Sequence, residues 1–161
     1  MSTPSMIFIK VKKEDKGRII NFDKNKLPVK LGDWGIDKTR SKCKPTTIEN
    51  DYLGVYCHWD GDPTGVGERL LKNYSDYESI VNLIAGGDCS CIEGNMVRHY
   101  ANRKGEKWQI IKPRQIKKID DIGGWFSYVY VFKDGKWRVR KSHKGKFVDL
   151  QEYLKTEYAY L

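Results

Sequence analysis

His58, Asp60 and Asp62 alternate along the chain, with Tyr56 and Trp59 beside them. On an extended strand alternate residues share a side. An imidazole and two carboxylates so placed could hold a metal ion or act as a general base. The structural alternative is that Asp62 or Thr64 caps the next helix, while a hydrogen-bonded His58 adjoins a buried Trp59. The run continues through Gly65-Val66-Gly67 to Arg69. Free backbone N–H groups at a helix start attract anions, and Arg69 is the nearest side-chain cation. Glu68, Asp60 and Asp62 compete for the same amides. The pattern is neither a phosphate-binding loop, which ends in Gly-Lys-Ser/Thr, nor a dinucleotide fingerprint.

Cys89 and Cys91, with Cys57 or His99, offer soft metal ligands. Their i,i+2 spacing suits tetrahedral zinc poorly, and the four cysteines lack the paired spacing of a zinc site. Reduced thiols and no metal are expected. Two basic and aromatic sets are richer. One holds Arg98, His99, Tyr100, Arg103, Lys104, Lys107 and Trp108; the other holds Arg138, Arg140, Lys141, His143 and Lys144. A guanidinium fork suits phosphate and a flat ring suits a nucleobase. The same residues would suit a nucleic-acid backbone or an acidic protein surface, or form a solvated charged face.

Charge is distributed in blocks. Residues 1–48 carry 12 basic and 5 acidic side chains, residues 49–93 carry 2 and 9, and residues 94–118 carry 8 and 1. The net charge of +9 therefore hides an acidic block between basic ones, an arrangement that steers charged partners. A length of 161 residues suits one domain with a core that needs no disulfide staples. No run is long enough to span a membrane, and Met1–Ser5 is no signal peptide.

The elements that must position these residues are partly legible. Residues 7–11 and 18–22 read as paired strands around a polar turn. Residues 23–50 read as irregular, with one short strand near Val29–Leu31. Tyr52–Trp59 reads as a strand. A helix follows from Thr64 or Gly65, with Val66, Leu70 and Tyr74 on one face. Ser75-Asp76-Tyr77-Glu78 reads as a capping box for a second helix that ends at Gly86-Gly87. Residues 96–100 suggest a helical turn and Trp108–Ile111 a strand. Phe126–Phe132 and Trp137–Arg140 form a hairpin about Asp134-Gly135. A last helix from about Asp149 carries Leu150, Tyr153, Leu154, Tyr158 and Leu161 as its apolar stripe.

Tyr56-Cys57-His58-Trp59-Asp60-Gly61, Gly65-Val66-Gly67 and Leu70-Leu71-Lys72-Asn73-Tyr74 resemble a family of small bacteriophage and prophage proteins. The similarity continues through Ile84-Ala85-Gly86-Gly87-Asp88 and more loosely into residues 126–140, and it is good over residues 52–92. No activity attaches to that family, so it supplies no catalytic residue. Cys89 and Cys91 depart from its pattern, which has small polar or apolar residues there. The resemblance implies a phage accessory protein in the bacterial cytoplasm.

The expectation is a single α+β domain over residues 1–161, an antiparallel sheet with two sequential helices and a C-terminal helix packed on it. The expected function is non-enzymatic: capture of an anionic, nucleotide-type ligand to counter host defence. Arg98, Arg103, Arg138 and Arg140 would clamp phosphates, and Tyr56, Trp59 or Trp108 would stack on a base. His58, Gly65, Gly67 and Arg69 complete the candidate set. No cofactor is implied. The alternatives are a protein–protein inhibitor of a host defence nuclease, a direct nucleic-acid binder, and a hydrolase using His58 and Asp60. A homo-oligomer is compatible with the sequence.

Overall fold

The computed structural model describes residues 3–28, 44–93, 96–100, 112–123, 126–142 and 145–158. Its centre is β1 (Ser5–Lys10), in which Ser5 to Ile9 are all buried. Alternate side chains of a strand leave on opposite faces, so β1 feeds two cores. Ile7 and Ile9 join Leu53, Val55, Tyr130, Trp137 and the helices. Met6 and Phe8 join Val129, Val131, Ile122 and Phe126 on the other face.

One edge of β1 pairs antiparallel with β4 (Tyr52–Cys57), and the other pairs parallel with β8 (Tyr128–Lys133). The large sheet runs β10-β9-β8-β1-β4-β5-β6, where β5 is Cys89–Glu93, β6 Met96–His99, β9 Lys136–Lys141 and β10 Val148–Asp149. β7 (Arg114–Ile116) pairs with the Tyr52 end of β4. β2 (Ile19–Ile20) and β3 (Thr46–Thr47) make a separate small sheet. α1 (Glu68–Asn73) and α2 (Tyr77–Ala85) form the crossover from β4 to its parallel neighbour β5, and α3 (Leu150–Tyr158) follows β10. No helix among the described residues is long and apolar enough to cross a membrane.

The mixed α+β class holds, with a large sheet and a C-terminal helix, but the sheet is not purely antiparallel. Both parallel pairs come from long crossovers, for which local periodicity gives no signal. The first two strands do not pair with each other: β1 is claimed on both edges, and β2 turns away to β3. The first helix is shorter than its apolar spacing suggests. Pro63–Gly67 form a π-helical turn, and α-helix begins only at Glu68. Asp76, not Ser75, caps α2, through a 2.9 Å bond from the Ser79 amide. Glu78 does not reach back to complete a capping box; it forks with Arg18 at 2.6 and 2.9 Å. Residues 96–99 are strand β6 rather than a helical turn. The strands expected at 29–31 and 108–111, and Leu161, lie outside the described residues. The C-terminal hairpin forms as read, with Asp134 and Gly135 at φ 53° and 75°, the left-handed pair that matches strand twist.

Gly54 shows how closely β1 and β4 pack. It lies opposite Phe8, whose ring lies over it, and an added Cβ would fall 2.6 Å from Phe8 Cγ. Gly54→Ala is expected to destabilise the fold by about 1–3 kcal/mol, read as a lower denaturant midpoint. Adding Phe8→Leu should make the double variant less destabilised than the sum of the singles, because the clash and the lost ring share one space.

Candidate functional site

The end of β4 and the turn after it assemble the most chemistry. Tyr56 lies on the helix-free face, and Cys57 points to the core under the helices. The Tyr56 hydroxyl lies 2.8 Å from His58 Nδ1. Burial pushes the Tyr56 phenol up, so it keeps its proton and donates. In the neutral ring, Nδ1 then accepts and Nε2 carries the hydrogen, aimed away from the tyrosine. The His58 and Trp59 rings meet edge to face at 4.7 Å and 84°. Trp59 is 44% exposed, unusual for so large an apolar side chain.

The backbone beneath is fixed. His58 N and Trp59 N donate to Cys89 O and Ser90 O at 3.1 and 2.8 Å. Asp60 turns the chain at φ 57°, and Gly61 is held by Thr3 O at 2.8 Å and by the Tyr130 hydroxyl at 2.6 Å. Asp88 joins the neighbouring strands. Its carboxylate accepts from Tyr56 N at 2.9 Å and from Arg114 Nη1, and its carbonyl accepts from Tyr100 N at 3.0 Å. The Asp88 side chain is 6% exposed and that of Arg114 35%, so the buried acid presents a half-open guanidinium beside Tyr56.

The structure brings together some of the expected residues and separates others. Tyr56, His58 and Trp59 are contiguous. Arg98 alternates with His99 on β6, and His99 points to α2, so Arg98 leaves the sheet on the side of Tyr56 and His58. Arg138 and Arg140 stand on β9, three strands from β4, or about 14 Å at the usual strand spacing. Arg140 is 8% exposed, bonded to Asp120 at 2.9 Å and set over the Phe147 ring, which makes it a packing residue. Arg103 and Trp108 lie outside the described residues, as do Lys104, Lys107, His143 and Lys144.

The glycines at the helix start serve packing. Gly65 N and Gly67 N donate to Asp62 O at 2.9 and 3.4 Å, and Val66 N donates to Asp60 O at 2.7 Å. Any side chain on Gly65 would run into the Asp60 carbonyl. The amides are therefore engaged within the turn. Arg69 is half-buried on α1, with Nη1 enclosed and without a hydrogen-bond partner.

His58, Asp60 and Asp62 share no hydrogen bond; Asp62 accepts from the Thr64 hydroxyl at 2.6 Å. Among the described residues no three His, Cys, Asp or Glu side chains are grouped to hold a metal ion. Cys57 and Cys89 are opposite each other in the sheet, and their thiols donate to Trp59 O and Tyr56 O, each at 3.7 Å. Bonding to Cys57, then burial, pushes the Cys89 thiol well up, and burial raises that of Cys91. Such thiols stay protonated. Two open cavities of about 450 and 730 Å³ lie elsewhere, and none of the candidate residues lines either.

Sequence reasoning missed Arg114 and Asp88 as site residues. They are 26 positions apart and meet only because β7 and β5 both border β4. The one local cue was a lone acid between the glycines that end α2 and an apolar strand. No family model, curated protein or solved structure matches the chain.

Asp88→Ala should cost about 1–3 kcal/mol, because the Tyr56 amide loses its buried acceptor. Asp88→Asn keeps an acceptor oxygen and should cost less; urea midpoints of the two variants check this. His99 gives a second expectation. Its Nε2 donates to Leu83 O at 2.8 Å, and burial lowers its pKa to about 4. Unfolded, it titrates near 6.5. The unfolded chain thus binds the extra proton first as pH falls. His99 costs nothing above about pH 6.5, and stability falls from there toward pH 4, by up to roughly 3 kcal/mol. His99→Gln should flatten denaturation midpoints between pH 6.5 and 5.

Proposed function

We propose that the chain is a phage accessory protein that captures an anionic, nucleotide-type ligand, unchanged, to counter a host defence. The observation that carries this reading is an exposed indole packed edge to face on His58, in the run that also carries Tyr56, beside which Arg114 is anchored through Asp88. Trp59 offers a stacking face, His58 offers Nε2–H, and Arg114 is anchored to Asp88 through Nη1 alone, which leaves Nη2 and Nε to bond a ligand. Stacking on such a ring contributes about 1–3 kcal/mol per base. Charge-assisted bonds from the guanidinium add to it. Asp88 offsets part of the arginine charge, so shape and hydrogen bonding count for more than net attraction.

His58 already spends Nδ1 on Tyr56, and among the described residues no carboxylate is bonded to it, which supports holding over hydrolysis. The resemblance over residues 52–92 supplies the phage setting and the bacterial cytoplasm. Sequestering a nucleotide signal from its receptor is the action that fits both.

Titration with adenine and guanine mononucleotides and with cyclic dinucleotides tests the reading. A ligand should raise the melting temperature on saturation and be recovered with unchanged mass. Trp59→Ala should weaken its binding by about 10- to 100-fold, and Arg114→Gln by about tenfold or more. Absence of any shift at millimolar nucleotide, or a ligand recovered in altered form, would overturn it.

A further inference from the structure

The opposite end of the sheet holds a second charged surface, independent of the Tyr56–Trp59 face. Lys10 closes β1, Lys16 lies in the turn after it, and Lys117 follows β7. Lys10 and Lys16 converge on one carboxylate, Asp51. Lys16 Nζ bonds Asp51 Oδ1, and Lys10 Nζ lies 3.8 Å from Oδ2. The charge of Lys117 acts on the same group and, with the other two, holds its pKa below the usual aspartate value. The parallel register Ile9–Phe132 sets Lys133 next along from Lys10, and Lys136 pairs directly with Lys133. Like charges on adjacent strands repel. Asp134 lies in the turn between Lys133 and Lys136, and Asp120 is taken by Arg140, so five ammonium groups still outnumber the acids near them.

We propose that this lysine cluster docks the phosphodiester backbone of a nucleic acid. Neighbouring strands set Lys10, Lys133 and Lys136 in a row about 4.8 Å apart, and Lys16 joins it through Asp51. A nucleic acid supplies a charge every 3.4 Å along each strand, a density that matches such a row. Lysines act as point charges on phosphate and carry no base code, so binding is independent of sequence. Asp51 occupies the ammonium groups in the free protein and competes with the incoming phosphate.

Fluorescence anisotropy with labelled 20-nucleotide DNA and RNA, single-stranded and duplex, between 50 and 200 mM salt tests this. Wild-type affinity should fall linearly with salt on logarithmic axes. The double variant Lys16→Gln/Lys117→Gln should reduce that slope by about 1.4–1.8. Asp51→Asn should tighten binding. Lys155→Gln, on α3 and paired there with Glu152, should change neither. The ion pairs removed lie at the surface, so the variants keep their fold; circular dichroism checks it. The proposal fails if wild type does not bind at 50 mM salt, if Lys155→Gln has the same effect as the double variant, or if polyglutamate of equal charge competes as well as the oligonucleotide. Trp59→Ala removes no charge and should leave the slope unaltered, so failure here and failure of the nucleotide reading are told apart.

Discussion

A single buried carboxylate organises one half of this molecule. Asp88 stands where β5 begins. Through its side chain it bonds the backbone of β4 and the guanidinium on β7, and through its carbonyl the residue after β6. Four strands thus meet at one residue. A carboxylate so enclosed must be satisfied or it destabilises the fold. That demand fixes Arg114 and the backbone of Tyr56, and with them the aromatic face that ends in Trp59. The site's rigidity follows from a requirement of folding.

The charge blocks take on a different meaning in three dimensions. Three acids of the chain's acidic middle are taken by the basic segments around it. Asp51 takes Lys10 and Lys16, Glu78 takes Arg18, and Asp88 takes Arg114. Asp76 and Asp62 are used locally, as a helix cap and as a hydroxyl acceptor. Much of the alternation along the chain therefore serves to join it to itself. The surplus is basic, and it gathers where several lysines share one acid.

Local signals were legible, and distant ones were not. The Asp134-Gly135 hairpin, the buried stripe of α2 and the start of α3 could be read because each lies within a few residues of its cause. The parallel pairing of β1 with β8 could not, because nothing near Ser5 refers to Tyr128. The helix start at Gly65-Val66-Gly67 leaves open a structural turn or amides for an anion; in the structure the amides bond within the turn, and Gly65 admits the Asp60 carbonyl. Of the site, Tyr56, His58 and Trp59 were visible as one run. Arg140 meets Asp120 and Phe147, partners that an arginine on a strand does not announce in its local sequence. Arg114 and Asp88 carry no spacing that links them.

β1 precedes both of its neighbours in the chain and sits between them at the centre of the sheet. One of its edges is filled by residues 52–57, and the other by residues 128–133. During synthesis, then, the most apolar strand leaves the ribosome with neither neighbour in existence and waits for most of the chain to close around it. Contacts of such long sequence separation slow folding and prolong exposure of the open edge. A nascent chain that ends before Tyr128 leaves one edge of β1 open and lacks Val129 and Val131 from the core around Met6 and Phe8.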